Sequence, residues 1–202
     1  MLIEHGGKRP AVDRTAWVAP NAVLSGEVSV GPRARILYGA ILTAENGSRI
    51  SVGAETVVME HAVLRAAGPF PLTLGAHCLV GPHAYLTGCE ISDCCFIATG
   101  AMVFNGAFLG DACVVALGGK VHVKSELAPG SRVPIGYIAI GRPAQVYRPD
   151  DASLVHEELA RIDFMRYVFG LDAGGKSRHE VMEEALTLYS RSLASHEDDV
   201  SL

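Results

Sequence analysis

The chain has 202 residues, with 17 basic against 22 acidic side chains and a net charge of −5. This length suits one domain with a tail, and the charge offers no basic field for nucleic acid or an anionic membrane surface. Hydrophobic residues make up 49% against 19% charged, yet no apolar run approaches a membrane span and residues 1–10 lack the apolar core of a signal peptide.

The five cysteines are odd in number and lack CxxC spacing. That pattern suits free thiols in a reducing cytoplasm rather than disulfides.

Residues 1–17 form an irregular lead-in that would cover the edge of the first coil. From 18 to 124 an aliphatic residue recurs every sixth position: Val30, Ile36 and Leu42, then Val52, Val58 and Leu64, then Leu74, Val80 and Leu86. The beat continues through Ile91, Ile97 and Val103 to Leu109, Val115 and Val121. Three such hexads make one triangular turn, so the chain predicts a parallel β-helix of hexapeptide repeats. Two intervals, Leu42 to Val52 and Leu64 to Leu74, are longer than six. Each ejects a loop, at residues 44–48 and 66–71, and such loops often carry function. The interval Leu86 to Ile91 is one residue short and should tighten the turn at Gly88-Cys89.

Residues 125–149 read as closing turns, through Ala128-Pro129-Gly130-Ser131 and Gly141-Arg142-Pro143-Ala144. From 150 to 202 the period becomes helical. Asp151 or Ser153 caps a first helix carrying Leu154, Val155, Leu159, Ile162, Met165, Val168 and Phe169, which Gly170 ends. It is too apolar to lie in water and should pack on the coils or on another subunit. Ser177 and Glu180 make a capping box for a second helix through about Leu193. Residues 196–202 should fray.

The repeat also assigns columns, because equivalent residues of adjacent coils stack about 4.8 Å apart. Cys78, Cys95 and Cys113 share one inward position above Ala34 and Thr56, a ladder of small core residues rather than a metal site. His61 and His83 share one outward corner, with Gly100 and Gly118 next in the column. Two stacked imidazoles can share a metal or a proton, although a plain surface ladder explains them as well. Arg65, Thr87, Phe104 and His122 form a mixed column that suggests no repeated ligand. His5, His156, His179 and His196 lie outside the coils and read as solvated.

These segments resemble the γ-class carbonic anhydrases, a family of trimeric left-handed β-helices. Leu37-Tyr38-Gly39-Ala40-Ile41-Leu42 is similar to the family's W-Y-G-A-V-L stretch. Val80-Gly81-Pro82-His83-Ala84-Tyr85-Leu86-Thr87-Gly88-Cys89 is similar to its I-G-H-G-A-x-L-H-G-C stretch. Pro129-Gly130-Ser131 and Gly141-Arg142-Pro143-Ala144 resemble its closing P-G-S and G-x-P-A. The resemblance covers roughly residues 12–148 and implies a homotrimer with a zinc site between subunits. The three histidines that hold zinc in the family fall here on Arg65, Pro82 and Thr87. The family's R-G-D stretch falls on Thr43-Ala44-Glu45, and its Gln-Asp pair on Met59 and Glu60. Neutral imidazoles hold catalytic zinc, whereas arginine stays protonated and proline has no donor atom. An Arg65 guanidinium paired with Glu45 or Glu60 would occupy the place of the metal charge.

Four readings are open. In the first, the subunit interface binds or transforms a small anionic molecule, with Arg65, Glu45 and Thr87 holding it and His83 and Glu60 moving protons. In the second, the chain is an acyl-CoA-dependent acyltransferase, an analogy at the level of fold. In the third, it is a non-catalytic structural subunit. In the fourth, a displaced site at His61 and His83, completed by a ligand such as His122 from a neighbouring subunit, holds zinc or another divalent metal and hydrates carbon dioxide. Partners are accordingly a second and third copy of the chain and a small ligand, with no nucleic acid and no membrane.

Overall fold

The computed structural model describes residues 1–202, the side chain of Ala152 excepted. Three sheets, parallel except for the antiparallel edge strands Ala144–Tyr147 and Val200–Ser201 of the largest, form the faces of a triangular prism. Two are seven-stranded and one is ten-stranded. The chain visits them in strict rotation, so each sheet gains one strand per coil. Strands Ala11–Val12, Trp17–Val18 and Val23–Ser25 make the first coil, and Glu126–Leu127, Arg132–Val133 and Ile138–Gly141 make the last. The architecture is the parallel β-helix expected from the hexapeptide beat, left-handed as the family resemblance implies, with helices confined to the C-terminal part.

The beat explains the core directly. Ile36, Leu42, Leu64, Leu86, Ile97, Leu109 and Val121 are all fully buried, each stacked over its counterpart in the next coil. At about 25 cal/mol per Å² of apolar surface, this continuous interior is the main stabilising term. Backbone bonds such as Leu37 N–H to the Val58 carbonyl, 2.8 Å, tie adjacent coils.

The coils run further at both ends than the sequence boundaries suggest. Leu127, Val133 and Ala139 continue the beat and are buried, so residues 126–141 are a seventh coil rather than closing turns. Lys124 looks like a break only because turn-rich segments come after it, and turns occur at every corner of this fold. At the other end, strand Leu2–Glu4 of the lead-in pairs with Val23–Ser25 and extends the ten-stranded sheet.

The expected first C-terminal helix is two helices. α1 spans Ala152–Ala160 and α2 spans Phe164–Phe169, with the Asp163 carboxylate capping Arg166 N–H and Gly170 in the left-handed region at φ 69°. Asp151 sits at the start of α1 without a side-chain cap bond. α1 lies against the last coil at Ile138–Gly141, while Leu154, Phe164 and Phe169 remain exposed. α3, Arg178–Leu193, begins at the expected Ser177–Glu180 capping box. Together the helices run back along the prism from its last coil towards its first. Tyr167 meets Phe70 edge-to-face at 5.1 Å, and Asn46 donates to Ser192 at 2.6 Å.

Residues 196–202 do not fray. A 3-10 turn, Ala194–Asp198, leads into strand Val200–Ser201, which pairs antiparallel with Leu2–Glu4. The pairing supplies partners to an otherwise open sheet edge. No apolar period announces it, because a two-residue edge strand is specified by its partner rather than by its own sequence.

Cys78, Cys95 and Cys113 form the buried ladder, and Cys89 is buried at the tightened turn. Burial pushes the Cys89 thiol up to about 12. Among the described residues only Cys94 is an exposed thiol. We expect a water-soluble alkylating reagent to label one thiol per native chain and five after denaturation, read by intact mass.

Candidate functional site

The two ejected loops lengthen the strands that precede them. Ile41–Glu45 and Val63–Ala67 pair over five residues, placing Arg65 beside Thr43 on one side and Thr87 on the other. Side chains two positions apart share a face of a strand, so Glu45 lies diagonally across from Arg65. The two form a fork-to-carboxylate pair: Nε donates to Oε1 at 3.2 Å and Nη2 to Oε2 at 2.6 Å. The Glu45 side chain is 8% exposed and that of Arg65 24%. Tyr189 of α3 covers the pair, its ring centroid 5.5 Å from Arg65 Cζ. Burial works against the Arg65 charge. The hydrogen bonds and charge of Glu45, with Tyr189 close by, outweigh it and hold the guanidinium above its ordinary pKa.

Of the two carboxylates proposed for Arg65, the structure therefore selects Glu45. Glu60 sits at the corner beside His61 and His83, where its carbonyl accepts His83 N–H at 3.1 Å. Thr87 donates its hydroxyl to Asn105 Oδ1 at 2.8 Å. Pro82 occupies the turn before strand Tyr85–Thr87 and accepts Gly100 N–H through its carbonyl at 3.0 Å.

His61 and His83 stack as the columns predict, with centroids 5.3 Å apart and planes 9° from parallel. Both adopt left-handed backbone at φ 56° and 57°, a conformation histidine tolerates better than most residues. Gly39 completes the column from below. A Cβ there would fall 2.5 Å from His61 Nδ1, so the missing side chain makes room for the ring. His61 stands in the turn before strand Val63–Ala67, whereas Arg65 is at the middle of that strand. Within one subunit the histidine corner and the Arg65–Glu45 pair are thus separate places. His122 lies elsewhere again, half-buried against Phe104 at 6.2 Å. Its Nδ1 is buried without a hydrogen-bond partner, and burial lowers its pKa.

A polar centre that the columns cannot reveal lies next to Glu45. His5 and His196, read from sequence as solvated, both bond to Asp199. His5 Nδ1 is 2.6 Å from Oδ1 and His196 Nδ1 is 3.0 Å from Oδ2. The two rings stack at 4.4 Å, His5 is buried, and His196 Nε2 lies 3.9 Å from Glu45 Oε1. Burial raises the Asp199 pKa, but the bonds and charges of His196 and His5 prevail and lower it below the ordinary carboxylate range. The spacing His196-x-x-Asp199 is visible in the sequence. Its meeting with His5, 194 positions away from Asp199, is not.

No protein-family model matches the chain. It is 31% identical over 160 residues to gamma carbonic anhydrase 1, mitochondrial, of Arabidopsis thaliana, covering 77% of this chain and 54% of that protein. Gamma carbonic anhydrase 2 of the same plant is 30% identical over the same span. The chain thus spans about half the length of these curated relatives. Among solved structures, a hexapeptide transferase family protein from Anaplasma phagocytophilum aligns with TM-score 0.52 at 23% identity, covering 98% of both chains. A candidate acetyltransferase from Bacillus cereus aligns with TM-score 0.56 at 23% identity, covering 94% of this chain and 96% of that one. These last two likenesses concern the fold. Among the described residues no helix is long and apolar enough to cross a membrane. The chain is a hexapeptide-repeat left-handed β-helix protein related in sequence to the gamma carbonic anhydrases.

Proposed function

We propose that this protein is a homotrimeric relative of the gamma carbonic anhydrases that does not hydrate carbon dioxide, and that its Arg65–Glu45 pair serves as a structural element where the family places zinc. The observation that carries this reading is the pair itself. A guanidinium is a permanent cation and cannot ligate a metal, and here two of its nitrogens are already bonded to a buried carboxylate. Proline at 82 brings no ligand, and the Thr87 hydroxyl donates to Asn105. The donor set at these positions does not fit zinc.

The trimer is supported by the corner column that contains Pro82. Tyr38, Leu117 and Ile135 stand in it exposed, with Ile41 and Met102 beside them. Exposed apolar residues at both ends of this column, with Glu60 and Thr99 between them, suit an interaction surface. Solution mass should be three times that of the 21.3 kDa chain. We place the protein in a reducing compartment, in keeping with its free thiols.

Stopped-flow hydration assays with added zinc should show no rate above the uncatalysed reaction. Brisk turnover that disappears in His83→Ala would sink this reading and favour a displaced site at His61 and His83.

A second reading has support from the outer edge of Arg65. Its Nη1 is not engaged by Glu45, and Thr87 lies next to it in register, with Tyr189 of the same chain over the guanidinium face. Across a trimer interface the His83 and Glu60 corner of a neighbouring copy would face this edge and complete a small-anion site with His83 as base. Binding of acetate or bicarbonate that shifts Thr87 and Arg65 side-chain NMR signals, and is lost in Arg65→Met, is the result this second reading requires.

A further inference from the structure

We propose that His5, His196 and Asp199 form a binding site for a divalent transition-metal cation of the zinc class, one that joins the two ends of the chain. The three residues offer one ligand atom each, all within 4.8 Å of one another. Ligands of a tetrahedral zinc at about 2.1 Å stand about 3.4 Å apart. The separations present, from 2.6 Å up to at most 4.8 Å, bracket that value. Both Nδ1 atoms already point at the Asp199 carboxylate, at 2.6 and 3.0 Å. A cation would take the place of the two shared protons.

Three features make this more than a chance meeting of polar groups. His5 follows strand Leu2–Glu4, while His196 lies in the 3-10 turn and Asp199 caps that turn just before strand Val200–Ser201, and the β-pairing of Ile3 with Ser201 holds the two segments in register. His5 is buried and the other two are half-buried, so the site is shielded yet reachable. A carboxylate also stands near the other ring nitrogen of His196, with Nε2 3.9 Å from Glu45 Oε1, too long for a hydrogen bond as it stands but close enough for one after a small shift. Metal-bound histidines commonly donate their second N–H to a carboxylate, which fixes the ring and raises its basicity. The charge balance is suitable. With Glu45 neutralised by Arg65, two neutral imidazoles and the Asp199 carboxylate leave one negative charge to meet a dication. Imidazole and carboxylate together suit zinc over magnesium or calcium.

The test uses the full chain, stripped with a chelator and titrated with zinc chloride against a chromophoric competitor. We expect one zinc per chain, a melting temperature that rises with zinc concentration, and a cobalt-substituted form with the visible absorption of a tetrahedral site. His5→Gln, His196→Gln and Asp199→Asn should each weaken zinc by more than about 100-fold, beyond the effect of a lost outer-shell partner. His61→Ala and His83→Ala should leave it unchanged. Folding of each variant is checked by circular dichroism, and the zinc-dependent melting shift of the unaltered chain stands without any variant. Absence of stoichiometric zinc, or zinc that survives all three substitutions or is lost with His83, would overturn the proposal and leave the cluster a hydrogen-bonded clasp.

Discussion

Glu45→Ala is expected to destabilise the protein by about 3 kcal/mol. The substitution leaves the Arg65 guanidinium, only 24% exposed, without its bidentate partner. Removing one member of a buried ion pair strands an uncompensated charge, at a typical cost of about 3–5 kcal/mol. The lower end applies because Arg65 keeps an edge in water. Replacing both members at once, as Glu45→Leu with Arg65→Met, removes the charge and its partner together and should recover most of the loss. Chemical denaturation in the presence of a chelator measures all three proteins and isolates the pair from any metal nearby. A Glu45→Ala protein as stable as the parent would show that water reaches Arg65 freely and that the pair is a surface contact of little energetic consequence.

Gly26→Ala should be of similar size, about 3 kcal/mol, for a different reason. Gly26 has φ 79°, and a Cβ there would lie 2.2 Å from the backbone carbonyl oxygen of Ala44. The left-handed conformation alone costs about 1–2 kcal/mol for alanine. Forcing the neighbouring strand aside adds about 1–3 kcal/mol. Ala44 is buried and immediately precedes Glu45, so the shift should also spoil the ion-pair geometry. Gly100→Ala is the control: it has φ 66° and open space around the added carbon. It should show only the conformational part, and the difference between the two midpoints measures the clash. Equal losses would mean that the coils slide apart without strain.

The stack of coils is legible in the sequence because its signal is local and repeated. Each aliphatic residue of the beat reports its own position, and a column is obtained by counting. Thus the thiol ladder and the His61–His83 stack can be placed from the residues alone. Glu45 as the partner of Arg65 is one of two carboxylates on that argument. Choosing it requires knowing that the strand runs straight to residue 45 before turning. The seventh coil is obscured by turn residues that occur in every coil. The His5–His196–Asp199 cluster is out of reach, because no period links the two ends of the chain. Its members meet through a short edge pairing whose sequence carries almost no strand signal.

That edge pairing has a consequence for how the chain assembles. Coils bond to their nearest neighbours, so the prism can grow one layer at a time as the polypeptide is made. The first layer is different. One edge of its longest sheet is finished only when Val200 and Ser201 settle against Ile3 and Glu4. Until residues 196–202 settle there, strand Leu2–Glu4 leaves an open edge, available to any other exposed strand. Residues 200–201 therefore act as a latch on strand Leu2–Glu4, and a protein in which that pairing is lost would hold an almost complete core and still be prone to associate edge to edge.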